Sequence, residues 1–147
     1  MGEARISARL GVQEGSRIWL LEAPVGFARR LDPLPEGAGV TSHTPQGQSD
    51  VIVLFSMSRA ALGEMFPRAA HHLAPRGCIW VAWPRKSSGV FTDLTEELVR
   101  SVGLAAGLVD NKIISLDEIW AGLRFIFKER DRLYTPSSIE AIAPPEA

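Results

Sequence analysis

The sequence has little of what disulfide-linked, thiolate-metal or membrane-spanning proteins depend on. Among its 147 residues Cys78 is the only cysteine, so no disulfide can form within the chain and a four-thiolate metal site is excluded. No apolar run is long enough to cross a bilayer, and the first residues lack the apolar core of a signal peptide. We therefore expect a cytoplasmic protein with no metal ion and no membrane partner.

An excess of charge of either sign is also missing. The chain has 16 Lys and Arg residues against 17 Asp and Glu residues, which gives a formal net charge of -1 at pH 7. Proteins that bind nucleic acid usually carry a basic face or stripe. The balance of charge therefore argues against a nucleic-acid partner.

Composition and length are those of one folded unit. Hydrophobic residues make up 46% of the chain and charged residues 22%, so wholesale disorder is not expected. We predict a single α/β domain over residues 1–130. From Asp131 onward, charge, Ser137-Ser138 and Pro144-Pro145 predict a flexible C-terminal tail over residues 131–147.

Apolar runs that predict buried strands alternate with segments of helical period. The predicted strands are 17–21, 40–43, 50–56, 78–83, 108–116 and 122–128. The predicted helices are 4–11, 26–31, 59–73 and 91–102, with a kink or split at Pro67, a stop at Pro75-Arg76-Gly77 and a cap at Thr92 or Asp93. This alternation indicates an α/β fold with a mainly parallel sheet, helices on both faces and a C-terminal antiparallel strand pair.

Six short segments together are typical of one family. They are Leu21–Phe27 (LEAPVGF), Leu73–Gly77 (LAPRG), Trp80–Lys86 (WVAWPRK), Ser88–Val90 (SGV), Thr92–Glu96 (TDLTE) and Asp117–Leu123 (DEIWAGL). In these segments the sequence resembles an uncharacterised bacterial family, a domain of unknown function, from about residue 8 to residue 129. The resemblance implies a three-layer, Rossmann-like sheet of the methyltransferase type in a degenerate form, and it implies no activity.

The bend after the first strand lacks a glycine-rich loop. Proteins that bind a dinucleotide or S-adenosylmethionine need glycines there, so that bare backbone can approach the ligand. This chain has Ala23-Pro24-Val25-Gly26 instead, in which Pro24 has no N–H and two neighbours carry β-carbons. Residues 40–43 also lack the acid that would bind ribose hydroxyls. We therefore predict no bound NAD or S-adenosylmethionine in the usual mode, and no other cofactor.

A loop with two cations follows the strand that ends near Trp83. Its backbone N–H groups, hydroxyls and side-chain charges could hold an anion, with Arg59 facing the same crevice. The alternative is a solvated loop whose threonine and aspartate cap the next helix, which is the commoner arrangement. The candidate ligand-binding residues are Arg59, Arg85, Lys86, Ser87, Ser88 and Thr92.

Other reactive side chains form no convincing catalytic set. Asp117 and Glu118 beside Trp120 could serve as an acid–base pair, but adjacent strand residues point to opposite faces, so a polar turn is favoured. The neighbouring His71-His72 lack the spacing of a shared metal site. Cys78 lies in an apolar strand and is expected in the core, as are the four tryptophans Trp19, Trp80, Trp83 and Trp120. We predict no catalytic residue.

Two functions remain open from the sequence. The first is a non-catalytic domain that acts through protein contacts, either as a homodimer or with another protein. The second is a binder or an enzyme for a small anionic ligand, held in the crevice at the carboxyl ends of the strands. The missing glycine loop favours the first, and the cations near the strand ends favour the second.

Overall fold

Apolar and β-branched runs form the strands, and the segments between them form helices. The computed structural model describes residues 5–128, so the predicted tail lies outside the described residues. The strands are β1 (Arg17–Leu21), β2 (Gly39–Thr41), β3 (Ser49–Phe55), β4 (Leu73–Pro84), β5 (Leu108–Ser115) and β6 (Trp120–Phe127). The helices are α1 (Ile6–Arg9), α2 (Phe27–Arg30), α3 (Arg59–His71) and α4 (Glu96–Ala105), with a 3-10 turn at Lys86–Ser88.

The six strands form one sheet in the order β2-β1-β3-β4-β6-β5. Strands β1, β2, β3 and β4 pair in parallel, and β6 pairs antiparallel with both β4 and β5. The predicted mainly parallel sheet with a closing antiparallel pair is therefore confirmed. So is the position of β1 beside β3, where Leu20 lies opposite Val53.

Both faces of the sheet are buried, which is why its central strands are apolar throughout. Side chains alternate along each strand, so Ile18 and Leu20 pack under α1 and α2, whereas Trp19 and Leu21 pack under α3 and α4. The second face has the longer cover, because α3 has 13 residues and α4 has 10. No helix within residues 5–128 has the length and apolar character needed to cross a membrane.

Helix α3 passes through a proline without breaking, so the predicted split is wrong. Pro67 lies inside the helix, which continues to His71. The missing N–H removes one hydrogen bond, but Phe66 and Ala69 on either side of it are fully buried against the sheet. Tertiary packing therefore holds the helix together across the proline.

Strand β4 starts earlier than predicted, because the Pro75-Arg76-Gly77 segment belongs to the strand. Ser49 pairs with Leu73, whereas Val51 pairs with Cys78, so the register shifts between these two pairs. The residues between Leu73 and Cys78 form a bulge opposite Asp50, and bulges tolerate proline and glycine inside a strand. The helix itself ends at His71.

Helix α4 starts at Glu96, five residues later than the predicted start, and neither predicted cap is its N-cap. Its N-cap is Thr95, whose hydroxyl accepts a hydrogen bond from the N–H of Leu98, and Glu96 and Glu97 form its first turn. The predicted caps Thr92 and Asp93 are used in tertiary contacts instead, described below. The cap prediction is therefore wrong.

Candidate functional site

Four loops meet at the carboxyl edge, the end of the sheet where β1, β3 and β4 finish. They are residues 22–26 after β1, 56–58 after β3, 85–95 after β4 and 116–119 before β6. In open α/β sheets, ligands bind beside this edge. It is therefore the first place to examine for a site.

The loop after β1 is tight but carries side chains. Glu22 has a φ of 56°, in the left-handed region that favours glycine, and Gly26 has a φ of 87°. The N–H of Phe27, the first residue of α2, donates to the carbonyl of Pro24 over 3.0 Å. The N–H group at the start of α2 is therefore bonded within the loop and is not available to a ligand. Helix α2 itself is only four residues long.

Three aromatic rings pack between this loop and β6. Phe27 and Phe55 meet at 4.9 Å between ring centroids, and Phe55 meets Trp120 at 5.1 Å, both edge to face. Phe27 and Phe55 are fully buried, and Trp120 is half-buried. Beside these rings a cavity of about 500 Å³ remains, with Glu22 and Glu64 in its wall. The three rings thus occupy part of the space at the carboxyl edge, and the cavity is what remains beside them.

Asp117 organises the turn between β5 and β6. Its Oδ1 accepts hydrogen bonds from the N–H groups of Ile119 and Trp120, each over 2.8 Å, and its Oδ2 accepts one from Arg30 over 2.9 Å. Partial burial opposes ionisation of Asp117, but the hydrogen bonds from Trp120, Arg30 and Ile119 outweigh it, so its pKa is lowered. The favoured prediction of a polar turn is confirmed, because Asp117 and Glu118 lie between β5 and β6 and Asp117 accepts hydrogen bonds from the backbone of that turn.

The hydroxyls predicted to hold an anion are used within the protein. Thr92 donates to the carbonyl of Met57 over 2.6 Å and accepts from the N–H of Leu94. Ser88 donates to the carbonyl of Arg85 over 2.7 Å and accepts from the N–H of Val90. Both hydroxyls therefore form hydrogen bonds within the protein. The alternative prediction was a solvated loop whose threonine and aspartate cap the next helix, and that capping is not observed, because Thr95 caps α4.

The cations of the candidate set are spread along the edge. Arg85 donates to the carbonyl of Asp117 over 3.0 Å, and the N–H of Arg59 donates to Asp93 over 2.9 Å. A cavity of about 920 Å³ between β4 and α4 has Arg85, Lys86 and Thr92 in its wall. Arg59, Ser87 and Ser88 do not line it, and the carboxylates of Glu96 and Glu97 do. The structure therefore brings together three of the six predicted residues.

The remaining reactive side chains belong to the framework. His72 shares a 3.0 Å hydrogen bond with the carbonyl of Gly47, and its ring packs edge to face on Trp19. No group of three or more His, Cys, Asp or Glu side chains within residues 5–128 is placed to hold a metal ion.

The predicted core positions of Cys78 and of most tryptophans are confirmed. Cys78 is 2% exposed, and Trp19, Trp80 and Trp83 are buried, whereas Trp120 is only half-buried at the carboxyl edge. Burial raises the pKa of the Cys78 thiol by more than the nearby Arg124 guanidinium lowers it. The thiol is therefore a neutral core group at neutral pH.

Exposed apolar side chains at the loop tips were missed from the sequence. Five of them project from the four loops of the carboxyl edge: Val25, Met57, Val90, Phe91 and Ile119. Phe91 is 89% exposed and Met57 is 52% exposed. No clear signal in the sequence marks them, since Phe91 is the first residue of the predicted helix 91–102.

Several known structures with a similar architecture are methyltransferases. A SAM dependent methyltransferase from Aquifex aeolicus has a TM-score of 0.60 and 12% identity, covering 82% of this chain and 86% of that chain. DhpI in complex with SAH has a TM-score of 0.59 and 11% identity, with 86% and 82% covered. Magnesium protoporphyrin IX methyltransferase from Synechocystis PCC 6803 with bound SAH has a TM-score of 0.53 and 8% identity, with 78% and 75% covered.

The class defined by this similarity is a fold class. The chain has the Rossmann-like fold of S-adenosylmethionine-dependent methyltransferases, with the antiparallel strand β6 between β4 and β5. Identities of 8–12% carry no statement about activity. No protein-family profile and no curated protein sequence matches the chain, so the resemblance to an uncharacterised bacterial family stays a prediction.

Proposed function

We propose that this chain is a non-catalytic, methyltransferase-like domain that acts through protein contacts at its carboxyl edge. The observation that carries the proposal is the loop after β1. Pro24 and the β-carbons of Ala23 and Val25 lie where a nucleotide would need bare backbone, and Pro24 also accepts the helix-start N–H.

The same edge has the composition of a contact surface. The five loop-tip side chains named above are apolar and exposed, and exposed apolar patches commonly mark interaction sites. Exposed charges of both signs accompany them, with Glu22 and Glu118 against Arg59 and Lys86. A two-fold contact joins the same surface of two identical copies, and charges of both signs allow that surface to complement itself, so the partner we propose is a second copy of the chain.

Sedimentation velocity at several protein concentrations tests the proposed contact. We expect reversible dimer formation in the wild type, and at least a tenfold weaker dimer in the Phe91→Ser variant, since one buried aromatic anchor contributes about 2 kcal/mol or more to an interface. Leu104→Ser is the matched control. Leu104 is 48% exposed near the end of α4, away from the carboxyl edge, so its replacement should leave the dimer unchanged.

Two outcomes of that experiment count against the contact. A wild type that stays monomeric at all concentrations removes the second copy as partner. Equal weakening by Phe91→Ser and Leu104→Ser places the interface elsewhere. Neither outcome decides whether the loop after β1 binds a cofactor. A separate titration with S-adenosylhomocysteine tests that claim.

Binding of a small anion in the crevice is the alternative function, and Lys86 supports it. Its ammonium group lines the cavity between β4 and α4 and forms no ion pair with any residue in the range 5–128. Thermal unfolding of the wild type and of Lys86→Ala in phosphate buffer tests it. The alternative requires a higher midpoint with phosphate in the wild type that Lys86→Ala abolishes.

A further inference from the structure

A second cavity opens at the amino edge, the end of the sheet where β1 and β3 begin. Its volume is about 570 Å³. The buried side chains of Val51, Ala74 and Cys78 form its floor. The loop from Gly11 to Arg17, the β4 bulge and β6 form its walls. This volume is within the usual range of about 300–1,000 Å³ for pockets that bind small molecules.

Three guanidinium groups from different strands line this cavity. Arg17 begins β1, Arg76 lies in the β4 bulge, and Arg124 lies on β6 opposite Trp80. The lining also includes the carboxylates of Glu14 and Asp50. Arg17 is already paired, because its Nε lies 3.2 Å from Asp50 Oδ2 and its Nη2 lies 3.4 Å from Oδ1.

The other two arginines form no ion pair within the part of the chain that the structure describes. Arg124 donates to the neutral amide oxygen of Asn111 over 3.2 Å, and within residues 5–128 no carboxylate pairs with Arg124 or Arg76. Arg124 is half-buried on the sheet. A partly desolvated cation with only neutral partners favours an anion nearby.

We propose that the amino-edge cavity is a binding site for a small molecule that bears a phosphate group. Arg76 and Arg124 hold the phosphate oxygens through their planar donor groups, which match phosphate geometry. The apolar floor formed by Val51 and Ala74 takes the organic part of the molecule. This site lies at the opposite end of the strands from the crevice that methyltransferase-like folds use for ligands.

The β4 bulge is what builds this site. The bulge carries Pro75 and Arg76 out of the strand pairing, where they line the cavity. Gly77 permits the approach, because a β-carbon there would lie 2.6 Å from the carbonyl oxygen of Asp50. The close packing of β4 on β3 thus fixes the position of Arg76 relative to Arg17 and Asp50.

Titration of the full chain with glycerol 3-phosphate and with inorganic phosphate tests the proposal, with glycerol as the uncharged control at constant ionic strength. In ¹⁵N-labelled protein we expect saturable shifts at the amides of residues 13–17 and 76–78. Arg76→Gln and Arg124→Gln should each weaken glycerol 3-phosphate binding by about tenfold or more, since a hydrogen bond to a charged group contributes about 1.5–3 kcal/mol.

Arg29→Gln is the matched control, because it removes one exposed guanidinium group from α2, which follows the carboxyl end of β1 and lines neither the amino-edge cavity nor the cavity between β4 and α4. It should leave the affinity unchanged. Arg76 is exposed, so Arg76→Gln should fold normally and keeps the test decisive even if Arg124→Gln does not fold.

Three results would overturn the site. They are no saturable shift with either phosphate compound, shifts centred on residues 85–92, and equal weakening by Arg29→Gln and Arg76→Gln. The third result would indicate general attraction between the protein and anions. Binding at the amino edge would leave the proposed dimer contact untouched, so the two proposals fail independently.

Discussion

The two edges of the sheet differ in how their polar groups are used. At the carboxyl edge Asp117, Ser88 and Thr92 bond to neighbouring backbone, and Phe27, Phe55 and Trp120 pack against each other. At the amino edge two arginines around a 570 Å³ cavity have no carboxylate partner within residues 5–128. At the edge that usually binds ligands in this fold, these groups are therefore bonded or packed within the protein, whereas at the opposite edge two guanidinium groups remain without an anionic partner among the same residues.

This difference supports the proposal that the chain keeps the fold of these methyltransferases without their usual ligand site. The strand order is that of a methyltransferase-like sheet, yet the loop after β1 has Pro24 where backbone donors are needed. Polar groups already bonded to the protein offer little to a ligand, because a ligand must replace those bonds at no net gain. A site for a charged ligand is therefore best sought where charged groups have no partner of opposite charge, as Arg76 and Arg124 do at the amino edge within residues 5–128.

The largest expected effect is at the aromatic contact of the carboxyl edge. Trp120→Ala should lower the free energy of unfolding by about 2–3 kcal/mol, because it removes a half-buried ring that packs on buried Phe55. Phe91→Ala at the same edge should change it by less than about 0.5 kcal/mol, since that ring is exposed. Urea denaturation measures both, and equal effects would contradict the distinction between packed rings and loop tips.

The next largest effect is at the β4 bulge of the amino edge. Gly77→Ala should cost about 1–3 kcal/mol, because the added β-carbon would meet the Asp50 carbonyl at 2.6 Å. Gly39→Ala in β2 is the control, since no atom lies within 4 Å of its β-carbon position. We expect Gly39→Ala to be neutral or slightly stabilising. A Gly77→Ala protein as stable as the control would mean that the bulge does not set the geometry of the cavity.

The smallest expected effect is on the pH dependence of stability, and it compares one ion pair from each edge. The pKa of Asp117 is lowered from its ordinary value of 3.8. Its carboxylate therefore stabilises the fold above that value, and this contribution is lost as the pH falls through the folded pKa. Asp117→Asn should cost about 1 kcal/mol at pH 7, and the difference from the wild type should narrow below about pH 4.

Asp50→Asn provides the comparison at the amino edge. The Arg17–Asp50 pair is more exposed than the Arg30–Asp117 pair, with Arg17 at 60% and Arg30 at 40%. Exposed ion pairs contribute little, so Asp50→Asn should cost at most about 0.5 kcal/mol at pH 7. Thermal unfolding between pH 3 and pH 7 measures both variants. A larger loss of stability in Asp50→Asn than in Asp117→Asn would contradict the expectation that the ion pair of the carboxyl edge contributes more.

The strands could be predicted from the sequence because their signal is local. The runs at 17–21 and 50–56 are apolar on both faces, which is typical of central parallel strands, and they form β1 and β3. The antiparallel closing pair was also predicted, from two apolar runs joined by a short polar turn. Composition and periodicity were sufficient for the α/β class of mainly parallel sheet, whereas the methyltransferase-like type of sheet followed from the family resemblance.

Tertiary contacts explain the errors. Thr92 and Asp93 look like helix caps, but they bond to Met57 and Arg59 in another loop, and Thr95 caps α4 instead. Three residues that can cap a helix lie close together at positions 92, 93 and 95. The contacts of residues 92 and 93 with residues 57 and 59 determine that the third one caps α4. The stop predicted at residues 75–77 is a bulge for a similar reason, since pairing with β3 keeps the segment in the strand.

The amino-edge cavity left no local signal. Arg17, Arg76 and Arg124 are far apart in the sequence, and only the strand order brings them together. The predicted strands place Arg17 at the start of the first strand. They do not place Arg76, because the bulge that carries this arginine was itself predicted to be a helix stop. The missed cavity and the missed bulge have the same cause.

Calorimetric titration of the wild type with S-adenosylhomocysteine, together with amide shifts for residues 22–27, tests the central claim most directly. The account predicts no saturable heat and no shift at these amides at millimolar ligand, because Pro24 and its neighbours occupy the bend. One-to-one binding with shifts confined to residues 22–27 would contradict it and would return the carboxyl edge to a catalytic role.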